Sequence, residues 1–247
     1  MQIIAVINQK GGVGKTTTAQ AIATGATYKG KKSLAIDLDA QCNLTFGMGG
    51  NSADVGIYDL LKGTVTPAQA IQKTAQGDII TASKNLAVAD TTFTGAERIS
   101  ALKDALKPIK KKYDVITIDC PPSLNTLLIN ALTAADKVII PITADIYALQ
   151  GLYLLKQTIE AAKKYNPGLK IGGAIFTLYN PRTVVSRDLT DVIRAKCEEI
   201  KIPVYNTTIS QSVVVREAQV YTKSIFQYAP KSKPATEYMN LIDEIGI

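Results

Sequence analysis

Residues 2–18 read QIIAVINQKGGVGKTTT. The run Ile3-Ile4-Ala5-Val6-Ile7 is apolar without alternation, as in a strand buried on both faces of a parallel sheet. It breaks into a glycine-rich turn and then into a helix-forming stretch. Strand, phosphate-cradling loop and helix N-terminus therefore follow one another. Gly11, Gly12 and Gly14 have no Cβ to hold an anion away from the backbone, and the N–H groups of the loop and helix start can face phosphate oxygens. Lys15 supplies a point charge for β and γ phosphates, and the Thr16 hydroxyl is a ligand for Mg²⁺. Gly11, Gly12, Val13, Gly14, Lys15, Thr16 and Thr17 are thus the expected nucleotide-binding residues.

Outward from this loop, apolar strands alternate with helical stretches and no linker interrupts them. The expected fold is a single α/β domain over residues 1–247, a doubly wound and mostly parallel sheet flanked by helices. Strands are expected at Ser33–Asp37, Ile79-Ile80, Leu86–Val88, Tyr113–Asp119, Lys137–Ile142, Ile171–Leu178 and Ile202–Tyr205. Helices are expected at Lys15–Tyr28, Ile57–Leu61, Glu97–Ile109, Leu124–Leu132, Tyr147–Tyr165, Thr183–Glu199 and Ala235–Ile245. The second strand ends in DLDAQ, which leaves Asp37 and Asp39 at its carboxyl end, where ligands bind in open α/β sheets. YDVITID ends the same way at Asp119, a position from which a carboxylate can hold a Mg²⁺-bound water.

Composition narrows the chemistry. There is no histidine, so acid–base work falls to carboxylates, lysines and a bound metal. Cys42, Cys120 and Cys197 are odd in number and widely spaced, which suggests neither a disulfide framework nor a zinc site and fits a reducing cytoplasm. No apolar run approaches the roughly 18 residues of a membrane span, and MQIIAVIN enters a strand directly without the features of a signal peptide. The net charge of +7 permits attraction to nucleic acid without establishing it. Lys110-Lys111-Lys112, its densest block, reads first as a solvated helix end that complements the helix dipole.

The loop departs from G-x-x-x-x-G-K-[ST] at its first glycine, which is Gln9 here, and carries a second lysine, Lys10. In this form KGGVGKTT resembles the deviant Walker A loop of the ParA/MinD family. DLDAQ, the strand ending in DCPP and the stretch REAQ…KSIF follow in that family's order. The resemblance spans nearly the whole chain and is closest to Soj-type ParA partition ATPases. It implies ATP and Mg²⁺ as cofactors, with Thr16, Asp39 and Asp119 at the metal, and Lys10 and Asp39 as catalytic residues. Asp39 would prepare the attacking water, and Lys10 would reach the other subunit's nucleotide in an ATP-bound homodimer. It further implies non-specific DNA binding in the cytoplasm, on the nucleoid, with hydrolysis stimulated by a ParB-like centromere-binding partner. Arg182, Arg216 and Lys223 are the expected DNA contacts, Arg216 being offset by two residues from the relatives' usual basic position.

Where relatives often carry Ile-Pro-Arg-Asn on the adenine side, this chain has Ile209, Ser210, Gln211 and Ser212; Ser210 and Ser212 are expected at the nucleotide. The chain begins at its first strand, so no N-terminal DNA-binding extension is expected. Two other classes share the loop. A MinD-like membrane-cycling ATPase would need a Lys/Arg-rich amphipathic tail, whereas Glu237, Asp243 and Glu244 make this tail acidic, so no membrane partner is expected. A metabolic enzyme on the same fold would need paired cysteines or a substrate pocket that the sequence does not identify.

Overall fold

In a computed structural model, which describes residues 1–93 and 95–247, eight strands form one sheet in the order β3-β4-β2-β5-β1-β6-β7-β8. They are β1 (Gln2–Val6), β2 (Ser33–Asp37), β3 (Ile71–Thr74), β4 (Gly77–Ile80), β5 (Val115–Asp119), β6 (Lys137–Ile142), β7 (Lys170–Tyr179) and β8 (Val204–Ser210). All neighbours pair in parallel except β3, which turns back antiparallel on β4 at the edge.

Alternation along the strands divides the core into two layers. Ile3, Ala5, Ile7, Leu34 and Ile36 pack with the Ile57–Lys62, Thr126–Ala134 and Ala148–Ala162 helices. Ile4, Val6, Ala35 and Ile79 pack on the other side with the Lys15–Tyr28 and Lys233–Ile245 helices. Burying each of the Ile, Leu and Val side chains stabilises the fold by about 1.5–3 kcal/mol, which explains why the central strands are apolar on both faces.

The sequence expectation fails at Leu86–Val88, which lies in a 3₁₀ helix, Lys84–Val88, and pairs with no strand among the described residues. Its apolar residues do not share a fate: Leu86 is buried while Val88 is exposed. The second strand of the hairpin is instead Ile71–Thr74, IQKT, a half-exposed edge segment with little apolar signal. The expected Glu97–Ile109 helix is divided into a 3₁₀ turn, a short α-helix at Ala101–Leu106 and a second 3₁₀ turn, Lys107–Ile109. Pro108, which has no N–H to donate, sits in the last of these.

The hairpin docks on the preceding Ile57–Lys62 helix through a close approach. A Cβ at Gly56 would stand 2.3 Å from the Thr81 carbonyl oxygen, just beyond β4. Because backbone must move to relieve that clash, Gly56→Ala is expected to cost about 1–3 kcal/mol. Urea unfolding should show a lower midpoint at an unchanged slope.

Candidate functional site

Register brings the site together. Val6 of β1 and Asp37 of β2 both lie level with Asp119 of β5, so the three strand ends share one rim of the sheet. The glycine loop leaves β1 at this rim and folds over it. Gly12 and Gly14 adopt positive φ, +74° and +80°, and so turn the loop back towards the helix that starts at Lys15. Two side chains fix the loop from outside. The Thr177 hydroxyl lies 2.8 Å from the Val13 carbonyl and 3.0 Å from that of Ile142, and the Asn8 amide donates to the Pro141 carbonyl. Neither Asn8 nor Thr177 carries a sequence signal, because their partners are remote in the chain.

Lys15 is buried under the loop, and its ammonium donates to the Lys10 carbonyl at 3.0 Å. Burial lowers its pKa, while the carboxylates of Asp119 and Asp39 act in the opposite sense. Asp119 is 1% exposed and neither carboxylate oxygen has a hydrogen-bond partner among the described residues. Burial raises its pKa well above the usual carboxylate range; Asp37 adds to this, while the Thr16 hydroxyl and Lys15 oppose it. An unpartnered buried carboxylate of this kind fits a cation or its water shell. No group of three or more His, Cys, Asp or Glu among the described residues could hold a metal. That suits Mg²⁺, which takes one or two protein ligands and completes its shell with phosphates and water.

Asp37 has a different task. Its carboxylate accepts the Asp39 N–H at 3.0 Å and both the N–H and the hydroxyl of Thr45 at 2.8 Å. The Thr45 hydroxyl in turn accepts the Ala82 N–H beyond β4. One buried carboxylate therefore ties the loop carrying Asp39 to the sheet. Burial pushes its pKa up to about 6, against the hydrogen bonds from Thr45 and Asp39. Asp39 itself lines the cavity, and its carboxylate caps the turn by accepting the Gln41 N–H.

The cavity holds about 470 Å³ and runs from the glycine loop to a pocket between β7 and β8. Gly11, Gly12, Gly14, Lys15, Thr16, Thr17 and Asp39 line one end; Leu178, Ile209, Ser210, Ser212 and Val215 line the other. Val13 packs inward, with only 1% exposed. Ser210 donates from both N–H and hydroxyl to Glu237, and Ser212 caps the Val213–Val220 helix by accepting the Val214 N–H. Gln41, the last residue of DLDAQ, and Pro122, the last of DCPP, also line the cavity, as does Asn43; the first two lie in motifs that gave them no role, and no sequence signal marks Asn43.

The remaining basic residues separate. Lys10 lies outside the cavity and forms an exposed ion pair with Asp145 at 2.6 Å. Arg182 is exposed in the loop after β7, where its N–H donates to the Asn180 side chain. Lys223 borders a narrow crevice beside Thr17 and Gln20. Arg216 faces the cavity itself.

A glycine loop over a buried lysine, at the carboxyl ends of parallel strands, defines a P-loop nucleotide-binding fold. The family model described as an AAA domain matches residues 1–171. The sporulation initiation inhibitor protein Soj of Bacillus subtilis is 39% identical, covering 99% of this chain and 98% of its own. The chromosome-partitioning ATPase Soj of Thermus thermophilus is 38% identical, over 98% of this chain and 94% of its own. Among solved structures, cobyrinic acid a,c-diamide synthase from Mycobacterium smegmatis with bound ADP and magnesium has a TM-score of 0.86 at 35% identity, covering 98% of this chain and 93% of that one. A plasmid partition protein from Borrelia burgdorferi has a TM-score of 0.78 at 28% identity, covering 98% and 96%. The chain belongs to the Soj/ParA family of P-loop ATPases.

Two substitutions check the site. Lys15→Ala removes the phosphate cation, and calorimetry should find no Mg-ATP binding at nucleotide concentrations that saturate the native chain. Asp145→Ala removes the exposed ion pair with Lys10 together with the acceptor of the Thr143 hydroxyl and the Tyr147 N–H, so it should lower unfolding stability by about 1–2 kcal/mol, most of it from the lost hydrogen bonds.

Proposed function

We propose that this chain is a ParA-type partition ATPase that hydrolyses Mg-ATP and, in its ATP-bound homodimer, holds non-specific DNA. The observation that carries the reading is the position of Lys10. The second lysine of KGGVGKTT lies outside its own cavity and faces solvent, held by nothing stronger than an exposed ion pair. It is therefore free to serve a nucleotide bound by another copy, where an added cation would stabilise transition-state charge as an arginine finger does.

Within one subunit, Lys15 and the N–H groups of the glycine loop bind the phosphates. Thr16, Asp39 and Asp119 would hold Mg²⁺, which when bound neutralises phosphate charge. Asp39 orients the attacking water, and the Asp37–Thr45 contact keeps its loop in place. Arg182 and Lys223 are assigned to the DNA surface of the dimer, where each contact is doubled. A ParB-like partner would stimulate hydrolysis and so release the dimer from the nucleoid.

The names of relatives support partition over the other two classes. A membrane-cycling role fits poorly. Tyr238, Leu241, Ile242 and Ile245 of the last helix are buried in the core, so its apolar face is not free for lipid. No helix among the described residues is long and apolar enough to cross a membrane. The likeness to a diamide synthase favours an ATP-dependent amidation as a second reading. The chain has no histidine for a Cys–His glutamine-hydrolysing pair, which weighs against it.

Asp39→Ala should retain ATP and accumulate as dimer, with hydrolysis reduced at least 100-fold on the order expected for loss of a general base. Lys10→Ala should bind ATP as monomer and neither dimerise nor hydrolyse it. Gel filtration with ATP reads both outcomes, and a wild-type dimer from Lys10→Ala would contradict the cross-subunit role. In the Asp39→Ala dimer, adding Arg182→Ala should lower the slope of log affinity for random duplex against log salt, by about 0.9 for each phosphate no longer neutralised.

A further inference from the structure

Arg216 is the one charged residue on the cavity-facing side of the Val213–Val220 helix. Ser212, Val215, Arg216 and Gln219 recur at helical spacing and all line the cavity that holds the glycine loop. The helix thereby lies along the cavity from its apolar end to its phosphate end. Ser212 caps it next to Ile209 and Ser210. At the other end, the Gln219 amide donates to the Thr17 hydroxyl at 3.1 Å, in the first turn after the glycine loop. Seven residues of helix rise about 10 Å, comparable with the reach of a nucleotide from its base to its first phosphate. Arg216 stands between these points, one turn before Gln219.

Among the described residues nothing else claims its charge. Arg216 is exposed and forms no salt bridge with any of them. Its neighbour Glu217 faces elsewhere, accepting the Tyr228 hydroxyl. Glu237, at the apolar end of the cavity, is occupied by Ser210. At the opposite end, Lys15 lies under the glycine loop, where the nucleotide-binding reading gives its charge to the β and γ phosphates, and among the described residues lining the cavity Arg216 is the other side-chain cation.

We propose that Arg216 is a nucleotide-binding residue of this chain, its guanidinium pairing with the α-phosphate that ATP and ADP share, and not a DNA contact. The inference rests on the nucleotide-binding reading of the cavity. An arginine–phosphate pair is charge-assisted and directional, so it contributes to binding both nucleotides alike and holds the ribose end of the ligand against the helix.

Calorimetric titration with ADP and with a non-hydrolysable ATP analogue, both with Mg²⁺, tests this. Arg216→Ala should weaken both nucleotides by a similar factor, about 10-fold or more for one charge-assisted contact. Arg216→Lys should recover part of that loss, because it restores charge without the planar fork; a merely structural role would not respond to charge. In the ATP-loaded Asp39→Ala dimer, Arg216→Ala should leave the salt slope for random duplex unchanged. Unaltered nucleotide affinity in Arg216→Ala would overturn the proposal, as would a loss confined to the triphosphate or a reduced DNA slope. A wild-type chain that binds neither nucleotide would overturn the reading of the cavity itself.

Discussion

Two carboxylates held side by side at level strand ends set the terms for the rest of the site. Parallel pairing places Asp37 opposite Asp119, and burial of both makes each resist ionising beside the other. The chain resolves this asymmetrically. Asp37 is given three hydrogen-bond donors and becomes a strut for the following loop. Asp119 is given none among the described residues and is left facing Lys15 and Thr16. On the proposed function, a cation bound with its nucleotide would relieve this arrangement, so binding energy and folding energy would draw on the same contacts.

The same constraint distributes work among the lysines. Lys15 is enclosed beneath the loop, whereas Lys10 is exposed and, among the described residues, forms its ion pair with Asp145. An exposed pair is worth little, so Lys10 can exchange partners at small cost. On the proposed function, one lysine serves the chain's own nucleotide and the other that of a second copy.

Much of this was legible in the sequence because the central strands are buried on both faces and end in residues of the candidate site. IIAVI, SLAID and DVITID can be read as strands from apolar runs alone, and each ends where ligands bind. The edge was not legible. IQKT has few apolar residues because one side faces water, while KNLAV contains them without pairing. The contacts that fix the site were also hidden: Thr177 to Val13 and Lys10 to Asp145 join residues more than a hundred positions apart, which no local pattern records. Arg216 reads as a surface charge in the sequence because nothing in REAQ reveals which face of its helix lies on the cavity.

The central claim is that ATP converts this chain into a dimer that holds DNA by its phosphates. The most direct measurement is binding to random-sequence duplex with ATP, with ADP and without nucleotide, across a range of salt, beside a control with anionic lipid vesicles. The account predicts DNA binding with ATP only, log affinity falling linearly with log salt, and no retention on vesicles. Equal DNA binding in all nucleotide states, or ATP-dependent binding to vesicles in place of DNA, would contradict it.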